Sequence, residues 1–348
     1  MKKHIYIAYT GGTFGMEPGE HGLVPAAGLR DKIAQVIPPS GQGALPAWTL
    51  HEYPQLIDSS MAQPQDWLAM AADIASRYDD YDGFVIIHGT DTMAYSAAAL
   101  AFALQGLAKP VILTGSQQPW GTVNSDALDN LTGALLMAAH TGVPEVGLYF
   151  NGQLLRGNRS TKASSTALNA FASPNYPSLA TLAADSTQPV VNQQALLPVA
   201  TQANFQLQQP VLNNLLVLQL HPGLQAAQLE RLLAVPTDAL ILKSFGAGNA
   251  PTQLPRFVDV IAQVIERGVM VINLSQCYQG RVEPGRYAAG TPLVEAGVLS
   301  GYDLTVEAAT TKLYYLWSQG LDAVALRTAW QQPCVGEFSL MTTAADDF

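Results

Sequence analysis

The sequence is poor in charged residues. Asp, Glu, Lys and Arg make up 13% of its 348 residues, about half the share of roughly 25% found in soluble domains. Lys and Arg number only 17, the formal net charge is −10, and no run of basic residues occurs. Proteins that bind a phosphate backbone need clustered Lys and Arg. The composition therefore argues against nucleic acid as a partner, and it permits a small polar substrate and an oligomer.

Cysteines and long apolar runs are also scarce. Cys277 and Cys334 are far apart in the sequence, so we expect no disulfide framework and favour a reducing compartment. The best apolar run, SAAALAFAL, is too short to cross a bilayer. The first residues, MKKHIYIAYTGG, predict a strand and not a secretory signal, because no small-residue cleavage site follows. We therefore expect a cytoplasmic protein without a membrane segment.

Short apolar runs alternate with helix-length segments along the first half of the chain. The runs are rich in β-branched and aromatic residues, and they cover residues 4–10, 83–89, 109–115 and 145–151. Helical patterns lie between them, over residues 64–78, 92–105 and 125–140. This alternation predicts an α/β fold with a doubly wound, mostly parallel sheet.

The composition changes between Ala183 and Gln209, where Gln, Asn, Ser, Thr and Pro dominate. Such a stretch is typical of a linker, with room for an edge hairpin. The alternation of strands and helices resumes beyond it. We predict a larger N-terminal catalytic domain over residues 1–183, a linker over residues 184–211, and a smaller C-terminal α/β domain over residues 212–348.

Polar residues directly follow the predicted strands. In a doubly wound sheet, ligands bind beyond the carboxyl ends of the strands, so these residues are candidates for the site. In order they are Gly12 and Thr13, then Asp58, Ser59 and Ser60, then Gly89, Thr90 and Asp91, then Ser116, and finally Lys162. A threonine hydroxyl is a weak nucleophile that needs a neighbouring base. A lysine whose pKa is lowered by burial can be that base, and backbone N–H groups of the glycines could approach an oxyanion.

Each of these patterns also has a purely structural interpretation. The TGGT stretch could be a tight turn between strand and helix, and Thr90 or Asp91 could cap a helix. Lys162 taken alone is most simply a solvated lysine. His88 ends a buried strand, where a hydrogen-bonded core histidine is a simpler interpretation than a base. The patterns become informative only in combination.

The combination resembles a known family. The stretches AYTGGTFGM and HGTDTMAY resemble the two threonine signatures of the bacterial-type L-asparaginases, most closely the cytoplasmic type I enzymes. Further blocks match in the same order, namely HEYPQLIDSS, TGSQQP, NSDALDNL, RGNRSTKA, GAGNAP and DLTVEAATTKL. The resemblance therefore covers nearly the whole chain.

The resemblance implies hydrolysis of L-asparagine to L-aspartate and ammonia. Thr13 falls on the nucleophilic threonine that forms an acyl-enzyme, and the second threonine with its supporting acid and lysine falls on Thr90, Asp91 and Lys162. The loop that holds the α-amino and α-carboxylate groups falls on Asp58, Ser59 and Ser60, and we expect Gly12, Gly89 and Ser116 to line the same pocket. The family implies no cofactor or metal, and a homotetramer built as a dimer of dimers.

Two residues depart from the family pattern. Leu23 stands where many relatives have a tyrosine that helps to activate the first threonine, although some relatives have leucine there. Lys243 stands where some cytoplasmic members have an arginine in an asparagine effector site, whose other members fall on Thr161, Asn249 and Cys277. Lysine keeps the charge but not the bidentate fork of arginine. The sequence leaves open whether asparagine is an activator, whether glutamine is preferred, and whether the chain is a non-catalytic amino-acid sensor.

Overall fold

The computed structural model describes residues 2–198 and 205–340. Contacts between Cα atoms divide the chain into two units, Met1–Gln208 and Gln209–Phe348. Each unit contains a mostly parallel sheet with helices between its strands, which confirms the predicted α/β class. The predicted bounds of the two domains and of the linker stay a prediction, and residues 199–204 and 341–348 lie outside the described residues.

The first unit is built on an eight-stranded sheet. The strands of the first unit, which include three separate two-stranded sheets, are β1 (His4–Gly11), β2 (Met16–Gly19), β3 (Gly22–Pro25), β4 (Ala47–Ile57), β5 (Gly83–Ile87), β6 (Leu104–Gln105), β7 (Val111–Thr114), β8 (Val146–Phe150), β9 (Gln153–Arg156), β10 (Thr161–Lys162), β11 (Phe171–Ala172), β12 (Ala180–Thr181), β13 (Val190–Val191) and β14 (Gln206–Leu207). Its helices are α1 (Leu29–Val36), α2 (Pro64–Ser76), α3 (Met93–Ala103) and α4 (Ala127–His140). The sheet order is β13-β12-β9-β8-β7-β5-β1-β4.

The five strands from β8 to β4 run parallel and form the centre of the core. Residues of β5, β7 and β8 are buried throughout, because helices cover both faces of the sheet. Helix α3 is apolar on every side, and each of its residues except Tyr95 is buried. Parallel strands end at the same edge of a sheet, so the loops after β1, β4, β5 and β7 meet there.

The second unit has a smaller parallel sheet in the order β15-β16-β17-β18. These strands are β15 (Leu215–Gln219), β16 (Ala239–Ser244), β17 (Met270–Ser275) and β18 (Leu299–Ser300). The helices are α5 (Ala226–Leu232), α6 (Phe257–Glu266), α7 (Thr291–Glu295), α8 (Val306–Ser318) and α9 (Ala323–Trp330). Across both units, none of the helices within the described residues is long and apolar enough to span a membrane.

An ion pair joins Arg156, at the end of β9, to Glu145, directly before β8. Arg156 Nε lies 2.6 Å from Glu145 Oε2, and both side chains are buried. Arg156 also donates to Ala195 O at 2.8 Å, and Glu145 Oε1 accepts from Leu197 N at 2.8 Å. The pair therefore anchors part of the segment predicted as a linker, whose strand β13 also joins the sheet edge. It also holds the end of β9, which leads into the loop before Lys162.

Removal of Glu145 is expected to destabilise the protein strongly. The Glu145→Ala variant leaves the Arg156 guanidinium buried without its carboxylate, which should lower the free energy of unfolding by about 3–5 kcal/mol. Urea denaturation measures this loss. The exposed Glu20 offers a matched control, and Glu20→Ala should change stability by no more than about 0.5 kcal/mol. Equal stabilities of the two variants would contradict this role of the ion pair.

Candidate active site

The loops after β1 and β5 meet backbone to backbone. A Cβ atom added to Gly12 would lie 2.2 Å from the Cα atom of Gly89, so no side chain fits there. Gly12 also has a φ of 86°, a value that L side chains rarely adopt. Its N–H donates to Ile57 O of β4 at 3.0 Å. Thr13, which follows directly and begins a 3₁₀ turn, is thereby held beside the end of β5.

The loop after β4 is joined to the same group through Ser59. A Cβ atom added to Gly89 would lie 2.5 Å from Ser59 Oγ. Ser59 Oγ accepts a hydrogen bond from Asp91 N at 3.2 Å, and Ser59 O accepts one from Thr92 Oγ1 at 2.7 Å. Three strand-end loops therefore form one continuous surface, as expected for residues that follow neighbouring parallel strands.

Lys162 completes this group from β10. Its Nζ atom lies 2.8 Å from Thr90 Oγ1 and 2.7 Å from Asp91 Oδ1. Thr90 is buried, while the side chains of Lys162 and Asp91 are 18% and 60% exposed. Hydrogen bonds thus connect Thr90, Asp91 and Lys162, and Thr13 follows Gly12, whose backbone lies against Gly89. A hydroxyl and a carboxylate on one amine make an arrangement that can move a proton.

The residues predicted to bind a substrate differ in their accessibility. Asp58 and Ser60 are exposed, and Asp58 Oδ1 accepts from both the N–H and the hydroxyl of Ser60 at 2.9 Å. The Ser59 hydroxyl is buried and engaged with the Asp91 backbone. Ser116 is buried, and its hydroxyl donates to Gln118 O at 2.6 Å. The side chain of Ser116 is therefore turned into its own loop, and its role in binding stays a prediction.

The Gly12 backbone also differs from expectation. An N–H group beside Thr13 was expected to be free for an oxyanion, but the Gly12 N–H is already bonded to Ile57 O. This bond joins β1 to the end of β4, so the glycine serves the close approach of the loops. An oxyanion donor would have to come from another group of the site.

Sequence reasoning missed one residue of the site, Gln117. Its Oε1 atom lies 3.4 Å from Thr90 Oγ1, and its Nε2 donates to Ala167 O at 3.1 Å. The residue lies in the stretch TGSQQP, after β7, where strand-end reasoning does point. Strand-end reasoning selects bases and nucleophiles, and the Gln117 amide offers neither.

A cavity of about 890 Å³ opens beside the same loops. It is lined by the second half of β4, the loop over residues 58–63 and the start of α2. Asp58, Ser59 and Gly89 line it, whereas Thr90 and Lys162 do not. The hydrogen-bonded group therefore lies next to this cavity, and Gly89, which precedes Thr90, lines it. Nowhere in residues 2–198 and 205–340 do three His, Cys, Asp or Glu side chains form a cluster able to hold a metal ion.

Family models match both halves of the chain. The model described as "Asparaginase, N-terminal" matches residues 4–196. The model described as "Glutaminase/Asparaginase C-terminal domain" matches residues 214–329. The chain belongs to the asparaginase family. The resemblance identified from the sequence blocks is therefore confirmed, and the chain is an amidohydrolase of this family.

Individual proteins are similar over most of the chain. L-asparaginase 1 of Escherichia coli (strain K12) is 45% identical over 345 residues, which cover 97% of this chain and 98% of that protein. The 60 kDa lysophospholipase of Homo sapiens is 38% identical over 91% of this chain and 58% of its own length. The crystal structure of L-asparaginase I from Vibrio cholerae has 43% identity and a TM-score of 0.88, covering 98% of this chain and 100% of that one.

The two departures from the family pattern lie in different units. Leu23 is 48% exposed on β3, in a hairpin with β2 that follows Thr13. Lys243 lies in the second unit, where its backbone O accepts a hydrogen bond from Gln276 Nε2 at 2.8 Å. Cys277 follows Gln276 and is exposed. Asn249, also in the second unit, forms a β-bridge with Phe245. Thr161 belongs to the first unit, where it pairs with Ala172. The candidate effector site stays a prediction.

His88 is a structural histidine at the end of β5. Its Nδ1 atom lies 2.7 Å from Gly89 O, and its Nε2 atom lies 3.0 Å from Ser96 Oγ. Both ring nitrogens are thus hydrogen-bonded inside the core, in agreement with the simpler interpretation of the sequence. Burial lowers the pKa of His88 below its ordinary value of 6.5, so the folded state favours the neutral ring.

We expect His88 to make stability depend on pH. Because its pKa is lower in the folded state, the unfolded state binds more protons, and the stabilisation is complete above about pH 6.5 and is lost as the pH falls below it. Thermal unfolding at about pH 7.5 and about pH 5.5 measures this dependence. Replacement by glutamine (His88→Gln) should reduce the difference in Tm, whereas His221→Gln, at an exposed histidine, should not. The same pH dependence in wild type and His88→Gln would contradict the assignment.

Proposed function

We propose that this chain hydrolyses L-asparagine to L-aspartate and ammonia through a covalent threonine intermediate. Membership of the asparaginase family supports the reaction class. The observation that carries the mechanism is the position of Lys162 Nζ, within hydrogen-bond distance of both Thr90 Oγ1 and Asp91 Oδ1. A hydroxyl needs such a neighbouring base before it can take part in acyl transfer at neutral pH.

The first half of the reaction forms an ester. The Thr13 hydroxyl oxygen attacks the side-chain carboxamide carbon of asparagine, and the C–N bond breaks. The hydroxyl proton is transferred to the departing nitrogen, so that ammonia leaves and an aspartyl ester remains on Thr13. The contact of Gly12 with Gly89 supports this assignment, because it holds Thr13 beside the loop of Thr90.

The second half hydrolyses the ester. A water molecule attacks the ester carbonyl while the Lys162 amine, which donates one of its hydrogens to Thr90, accepts a proton from the water. That proton then passes to the Thr13 oxygen as the ester C–O bond breaks, so the Thr13 hydroxyl is regenerated and aspartate leaves. Asp91 orients the Lys162 amine and balances its positive charge when the amine is protonated. The exposed carboxylate of Asp58 suits the α-ammonium group of the substrate.

Substrate choice, assembly and location belong to the same proposal. Asparagine and glutamine differ by one methylene, which pockets discriminate by roughly 1–3 kcal/mol, and the ratio of kcat/KM for the two amides decides between them.

The family resemblance favours a homotetramer built as a dimer of dimers, which light scattering tests directly. The scarcity of cysteine favours the cytoplasm.

Removal of the proposed catalytic side chains should abolish turnover without unfolding the protein. Thr13→Ala, Thr90→Val and Lys162→Met should each lower kcat for L-asparagine by about a thousandfold or more, because members of such a group act as a unit. Ammonia release measures kcat, and circular dichroism checks the fold. The exposed Thr181 on β12 provides the control variant Thr181→Val, which should be fully active. Near-normal turnover in Thr13→Ala and Thr90→Val would exclude the mechanism, and saturable binding of asparagine by the wild type without ammonia release would favour a sensor.

A further inference from the structure

A buried carboxylate lies behind the candidate active site and has no role in the reaction proposed above. Asp126, from the stretch NSDALDNL, is 8% exposed. Both of its carboxylate oxygens accept from Gln117 N, at 3.1 and 3.0 Å, and Oδ1 also accepts from Gln118 N at 2.9 Å. A buried carboxylate is expensive unless N–H donors surround it. Here the donors belong to the loop after β7, so the charge organises that loop.

Asn130, one helical turn further along α4, extends this arrangement. Its Nδ2 donates to Asp126 Oδ2 and to Gly115 O, both at 3.0 Å. Its Oδ1 accepts from Asn151 N at 3.0 Å. The loop over residues 115–118 is therefore fastened at its start to Asn130 and at its end to Asp126. We call Asp126 and Asn130 the loop clamp.

The loop clamp determines where the Gln117 amide points. With its backbone fixed, Gln117 donates from Nε2 to Ala167 O at 3.1 Å. A rotation of the amide by half a turn would bring Oε1 against the Ala167 carbonyl, and two acceptors would then face each other. Gln117 Oε1 must therefore face Thr90 Oγ1, at 3.4 Å. That distance is long for a hydroxyl hydrogen bond, so the oxygen guides direction more than it adds binding energy.

We propose that Gln117, held by Asp126, is a positioning residue that orients the Thr90 hydroxyl. The hydroxyl has one hydrogen and two lone pairs. With an acceptor fixed on the Gln117 side, the hydrogen points to Oε1 and a lone pair points to Lys162 Nζ, 2.8 Å away. In the absence of that acceptor, the Thr90 side chain is free to rotate away from Lys162. This inference rests on the proposed function only in its effect on turnover.

Kinetics of two variants and one control test the proposal. Gln117→Leu keeps the size of the side chain and removes both polar atoms, and Asp126→Asn places donors against the donors of the loop. Each should lower kcat by about 10–100-fold, the effect of a misplaced catalytic group, with KM changed by less than the same factor. Gln118→Leu is the matched control, because Gln118 is adjacent and exposed, and it should be unaffected.

The double variant of Gln117→Leu and Asp126→Asn separates positioning from a general loss of structure. If Asp126 acts through Gln117, adding Asp126→Asn to Gln117→Leu lowers kcat by no more than roughly twofold. If the double variant lowers kcat by the product of the two single effects, or if Gln117→Leu is fully active, the proposal is overturned.

Gln117→Glu adds a negative charge beside Thr90 and Lys162, so the acid limb of its kcat/KM profile should move to higher pH.

A measurement without substrate keeps this proposal separate from the proposed function. Crystal structures of Gln117→Leu and Gln118→Leu should differ in the distance between Thr90 Oγ1 and Lys162 Nζ, which exceeds hydrogen-bond distance only in the former. A wild type that released no ammonia would refute the proposed function, and this distance would still decide the inference. An unchanged contact between Thr90 and Lys162 in Gln117→Leu would overturn it.

Discussion

The close contact of three strand-end loops is the constraint on which the candidate site depends. A Cβ atom on Gly12 would overlap the Gly89 backbone, and a Cβ atom on Gly89 would overlap the Ser59 side chain. Separate loops are usually mobile relative to one another, whereas loops in backbone contact move as one body. The parallel sheet provides this contact, because β1, β4 and β5 are neighbours that end at one edge. The contact of Gly12 with Gly89 therefore brings the residues that follow them, Thr13 and Thr90, near each other.

Lys162 reaches this edge from a different part of the chain. It follows β9, whose last residue is the buried Arg156, and β10 pairs with β11 so that Lys162 lies opposite Phe171. Asp126 reaches the same place from the start of α4. The site thus combines close backbone contacts between glycines with polar side chains whose orientation is set by hydrogen bonds. Such support allows a hydroxyl and an amine to keep one geometry through a proton transfer.

The sequence was sufficient to locate several strands of the parallel sheet and insufficient for the orientation of side chains. Apolar runs bounded by glycine predicted β1, β5, β7 and β8, and strand-end reasoning brought Thr90 and Asp91 together with Lys162. The hydroxyl of Ser116, the N–H of Gly12 and the amide of Gln117 each depend on a partner chosen by the packed structure. The two-residue strand β13 has no periodicity to detect, and its pairing with β12 arises from tertiary contact.

The central claim is that Thr13 and the group formed by Thr90, Asp91 and Lys162 act together on one amide. The most direct measurement is peptide mapping by mass spectrometry of the Lys162→Met variant, quenched in acid during incubation with L-asparagine. Slow hydrolysis of the ester in this variant should let the intermediate accumulate. The account predicts an aspartyl group on the peptide that contains Thr13. An aspartyl group on the peptide of Thr90, or turnover by the wild type with no covalent intermediate under any quench condition, would contradict it.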